Sequence, residues 1–153
     1  MLSDDAYRSQ RAATITALRY WLPTIADVAG IEEEEGPGFW RVAVTPLTPG
    51  ACPFEFMLHE TKRYALAVGG RVFEDEPVTS LESFPHLLAA IADGRIDVEH
   101  ETSALTGATV AMTTAIRPHD RPVWLRREIM TATADAPGET VTRTRRYLPY
   151  RRR

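Results

Sequence analysis

The stretch Phe54-Glu55-Phe56-Met57-Leu58-His59-Glu60-Thr61-Lys62-Arg63-Tyr64-Ala65-Leu66-Ala67-Val68 decides the fold class. Apolar side chains recur at every second position from Phe54 to Leu58 and again from Tyr64 to Val68, the period of a strand buried on one face. The short turn Thr61-Lys62-Arg63 cannot carry a crossover connection, so strands Phe54 to Glu60 and Tyr64 to Val68 must run antiparallel.

The same pattern extends outward. Upstream, Phe39 to Thr45 places Trp40, Val42 and Val44 on one face after the Gly36-Pro37-Gly38 turn, and Pro46, Pro49, Gly50 and Pro53 make the next connection a loop. Downstream, the Gly69-Gly70 pair suits a hairpin leading to Arg71-Val72-Phe73-Glu74.

Two helices frame this meander. Ser3, Asp4 and Asp5 form an N-cap with acidic first-turn residues, and Ile15, Leu18, Leu22 and Ile25 follow at helical spacing. Pro23 predicts a kink or restart near Leu22, and Gly30 ends the helical stretch. Thr79 and Glu82 have capping-box spacing before Leu81, Phe84, Leu87, Leu88 and Ile91, a stripe that ends at Asp93-Gly94. Four more alternating runs follow, Arg95 to Glu101, Ala108 to Arg117, Val123 to Thr133 and Thr140 to Tyr147.

The expected architecture is therefore α+β: a single curved antiparallel sheet of about six to eight strands with two helices packed on one face, in the order α-β-β-β-α-β-β-β-β. Residues 1–147 form one domain and 148–153 a basic C-terminal tail. At 153 residues, a single domain buries about 70% of its unfolded surface and needs no disulfide or metal staple.

Composition narrows the function. The lone Cys52 excludes an intrachain disulfide, the absence of asparagine excludes N-glycosylation, and no apolar run suits a membrane helix. The N-terminal residues lack a basic segment followed by an apolar signal core, so the expectation is a cytoplasmic protein. No phosphate loop, dinucleotide turn, nucleophile elbow or cysteine pair is present, and neither His-Glu pair has metalloprotease spacing. No cofactor is expected.

Charge is distributed unevenly. Residues 1–116 carry 8 basic and 17 acidic side chains, whereas residues 117–153 carry 10 basic and 4 acidic. The acidic runs Glu32-Glu33-Glu34-Glu35 and Glu74-Asp75-Glu76 contrast with a basic end containing Arg143, Arg145, Arg146 and Arg151-Arg152-Arg153. A fold that unites them satisfies both internally; one that separates them invites head-to-tail association or a polyanionic partner.

Strand parity supplies candidate sites. The apolar face of Phe54-Phe56-Leu58 ends in Glu60, that of Ile96-Val98 ends in His100, Tyr64 shares a face with Leu66 and Val68, and Val123-Leu125-Arg127-Ile129 includes a guanidinium. On one concave face, Glu60 and His100 would form a catalytic acid/base pair, with Tyr64 and Arg127 binding the ligand. Trp124 lies on the opposite side, with Arg126, Glu128 and Met130, a mixture suited to a subunit interface through Trp124 and Met130. Cys52, before Pro53 and without a cationic neighbour, is expected to be inert.

The leading expectation is a non-catalytic, self-associating binding module, a homo-oligomer open to a small-molecule ligand. The enzyme alternative is a small-molecule lyase, isomerase or hydrolase using Glu60 and His100. Third comes weak nucleic-acid binding by the C-terminal end, where arginines interleave with Tyr147 and Tyr150.

Overall fold

A computed structural model describes residues 2–130 and 138–151. Helix α1 spans Asp4–Trp21; its first turn is held by Ser3, whose side chain accepts from the Ala6 N–H at 3.2 Å. Pro23 restarts the chain as a 3-10 turn over Leu22–Ile25, as the missing proline N–H dictates.

Five strands then meander: β1 Ala29–Gly36, β2 Phe39–Pro46, β3 Phe54–His59, β4 Arg63–Val68 and β5 Arg71–Pro77, each antiparallel to the next. Strand β1 corrects the sequence reading, which ended a helical stretch at Gly30 and gave the glutamate run no strand. Its inward Glu33 accepts from Trp40 Nε1 at 2.6 Å and pairs with Arg19 of α1, so charge is tolerated on this edge strand.

Helix α2, Ser83–Ala92, follows without a side-chain cap from the expected capping box. Pro85 fits because it lies in the first turn, where its missing N–H has no intrahelical role. The remaining strands are β6 Ile96–Ser103, β7 Thr109–Ile116, β8 Trp124–Ile129 and β9 Thr140–Arg146. The expected extension of the Val123 run to Thr133 lies partly outside the described residues.

The α+β class and element order stand, but the expected single sheet is two. One sheet has the order β1-β2-β3-β4-β5 and the other β8-β7-β6-β9, with α2 between them in sequence. The face of the first sheet carrying Trp40, Val42, Phe56, Leu58, Tyr64 and Leu66 packs against both helices. Phe84 of α2 lies 4.8 Å from both the Phe56 and Tyr64 ring centroids. Ile96, Val98 and Ile116 join the second sheet to the same core.

The described part of the C-terminal end is not a free tail. Leu148 bridges to Ala51, the Tyr150 N–H donates to Ala92 O at 2.8 Å, and the Tyr150 ring is buried. Arg151 pairs with Asp27 at 2.7 Å; Arg152 and Arg153 lie outside the described residues.

Candidate functional site

The four residues expected to converge do not share a site. Glu60 is exposed in the β3–β4 turn, where its N–H donates to Gly38 O at 2.9 Å. It borders a hollow of about 390 Å³ with Arg8, Arg11 and Lys62, beside the N-terminal half of α1. Strand β6, which carries His100, meets the first sheet at the other end of β4: a Cβ on Gly69 would lie 2.8 Å from Val98 Cγ2. At about 3.3 Å per residue, β4 puts roughly 17 Å between these ends.

His100 lies two residues beyond Val98, half-buried, with Met112 and Arg143 as its cross-strand partners. Arg127 is on the opposite face: it shares a row with Thr113 and Glu99 and bonds Glu101 at 3.2 Å. The parity assigned to β8 from sequence was therefore reversed. Leu125 and Ile129 are 54% and 61% exposed, while Trp124, Arg126 and Glu128 turn toward the first sheet.

Those inward side chains form a seam between the sheets. Trp124 packs edge-on against Phe73, with centroids 5.0 Å apart, and its Nε1 donates to Tyr64 Oη at 2.9 Å. Arg126 bonds Glu76 at 3.1 Å and Tyr64 Oη at 3.4 Å, and stacks over the indole. Tyr64 thus meets Arg126 rather than Arg127, and burial pushes its phenol above the ordinary range. Met130 continues from β8, where its N–H donates to Val110 O at 3.0 Å.

Arg71 closes the seam with two bonds to Glu128, at 2.7 and 2.6 Å. This guanidinium holds the Glu128 carboxyl below its ordinary value of 4.5. A depressed folded-state pKa contributes stability above the unfolded value and loses it as pH falls through the folded one. Glu128→Gln is therefore expected to lower stability by about 1 kcal/mol at pH 7, with the deficit shrinking below pH about 4.5. Urea unfolding of both proteins across that range checks this; a pH-independent deficit would refute it.

Other chemistry-bearing groups are sealed or dispersed. Cys52 is fully buried and burial raises its thiol pKa, which suits packing rather than nucleophilic attack. Among the described residues, no three His, Cys, Asp or Glu side chains cluster to hold a metal, and no helix is long and apolar enough to cross a membrane.

One open surface is the face of the first sheet opposite the helices. Met57, Ala65 and Ala67 are half-buried there, and Val72 is exposed. The alanines floor a trough of about 430 Å³ walled by Met57, His59, Val72 and Glu74. Sequence periodicity marks this as the less apolar face; the paired small residues at Ala65 and Ala67 are the signal that it is concave.

The acidic and basic regions meet in part, with Arg151 on Asp27 and Arg117 on Asp97. Glu33 and Glu35 turn to Arg19, Glu34 to Arg41, Glu76 to Arg126 and Asp75 to Arg63. Glu32 and Glu74, and likewise Arg143, Arg145 and Arg146 on the exposed edge strand β9, make no ion pair among the described residues. Comparison of the chain with protein-family models, curated proteins and solved structures gives no match.

Proposed function

We propose that this chain is a non-catalytic binding module that associates with copies of itself head to tail. The trough on the open sheet face, rimmed by Glu74 and Asp75, receives the basic edge strand β9 of the next copy. The pairing of Glu74 at the trough with Arg143, Arg145 and Arg146 on β9, all without an ion pair among the described residues, carries this reading, because charges left without partners in one chain can find them between two. An edge strand with exposed side chains also presents unsatisfied backbone groups suited to a second chain.

Two observations weigh against the alternatives. Glu60 lies in the β3–β4 turn at one end of β4 and His100 on β6 near the other, which leaves the acid/base pair without a common substrate. Tyr147 and Tyr150 are buried, so they are not available for base stacking beside the arginines.

Sedimentation over a concentration series tests the proposal. The mass should rise above 17.1 kDa with concentration and fall again with added salt. Met57→Arg should block the receiving face, and Arg143→Glu the donating strand. Mixing the two variants should restore one contact and give a dimer that grows no further. A wild-type protein monomeric at every concentration, or a mixture that stays monomeric, would overturn the reading.

A further inference from the structure

A hollow of about 500 Å³ lies at the Gly69-Gly70 end of the first sheet and adjoins the trough through Glu55, Ala67 and Val72. Ala43, Pro53, Ala67 and Val72 give it apolar walls, and Arg145 and Tyr147 close one side. Its volume falls in the range of pockets for small organic ligands.

The charges at this hollow are neutralised with one exception. Glu55 is paired with Arg41, and Arg71 with Glu128. Arg145 has no carboxylate partner among the described residues; its guanidinium instead lies 4.9 Å from the Tyr147 ring centroid. Stacking on an aromatic face fixes a guanidinium while leaving its N–H edge free, and that planar edge matches a carboxylate.

We propose that this hollow binds an organic monocarboxylate with a compact apolar body, the carboxylate on Arg145 and the apolar part against Pro53, Ala67 and Val72. One uncompensated cation at the mouth of an apolar hollow selects a single negative charge joined to an apolar group. A free inorganic anion would leave the walls wet, and a neutral apolar molecule would leave Arg145 unused. The hollow shares Glu55, Ala67 and Val72 with the trough and takes Arg145 from β9, so binding is read both in the wild type and in Met57→Arg, where that docking is blocked.

Amide chemical-shift titration with 3-phenylpropionate, in the wild type and in Met57→Arg, tests it without interference from association. Saturable shifts are expected at Gly69, Gly70 and Val72 in both proteins. The neutral analogue 3-phenylpropanol should bind about tenfold more weakly, and Arg145→Gln should weaken binding of the acid by a similar factor. Arg145 is exposed, so the variant should fold. Absence of saturable shifts, equal binding of acid and alcohol, or unchanged affinity in Arg145→Gln would each overturn the proposal.

Discussion

Trp124→Ala is expected to lower folding stability by about 2–4 kcal/mol while leaving self-association intact. Truncation of a buried aromatic costs about 3–5 kcal/mol, and the half-buried position of Trp124 reduces that. Three contacts disappear together: the edge-on packing with Phe73 at 5.0 Å, the 2.9 Å hydrogen bond to Tyr64 Oη, and the stacking of Arg126. The first two join β8 to the first sheet, and the third holds Arg126 where it reaches Glu76. Loosening should therefore concentrate in the second sheet, seen as loss of amide-exchange protection in β7 and β8 before β2 and β3.

Tyr64→Phe provides a finer test of the same seam. It keeps the ring against Phe84 but removes the acceptor for the indole N–H, at a cost of about 1–2 kcal/mol. Combined with Trp124→Ala, it should add less than it costs alone, because the shared bond is already gone. If Trp124→Ala left stability unchanged and abolished association instead, Trp124 would be the subunit contact expected from sequence and the seam would be misassigned.

The parts of the fold legible in sequence are those whose periodicity is set by one continuous burial partner. Helix α1 shows its core stripe through Ile15 and Leu18, and β2, β3 and β4 alternate because their inner faces all meet the helices. Strand β1 lacked that pattern: its inward positions include Glu33 and Glu35, made tolerable by Arg19 from a distant turn of α1. The candidate site failed at β8 for a related reason. Leu125 and Ile129 suggested a core face, but the true inner face holds Arg126 and Glu128, paired with Glu76 and Arg71 of β5. Parity identifies two faces of a strand, and hydrophobicity chooses between them only when inward charges have no partners. Division into two sheets is likewise a tertiary outcome, since nothing local prevents β5 and β6 from pairing.

Gly94→Ala is expected to be the more damaging of two chemically identical glycine substitutions, costing about 3–5 kcal/mol against about 1 kcal/mol for Gly70→Ala. Both glycines have positive φ, +74° at Gly94 and +79° at Gly70, so both variants bear left-handed strain. Their surroundings differ. A Cβ at Gly70 meets nothing within 4 Å, whereas at Gly94 it would lie 2.7 Å from Pro149 N and 2.9 Å from Leu148 C. These are backbone atoms and cannot swing aside. Gly94 also terminates α2, donating to Ile91 O at 3.1 Å while Arg95 donates to Ala90 O at 2.9 Å, an end that requires this conformation. Relief must therefore come from displacement of residues 147–150, which would expose the buried Tyr150 ring and break its bonds to Ala92 and Cys52. That route predicts non-additivity: Tyr150→Ala should destabilise the wild type strongly and add little in Gly94→Ala, because the ring has already left its site. Urea unfolding of the two single variants and the double variant measures the coupling, and full additivity would show that the strand end stays docked and the strain resides in α2 alone.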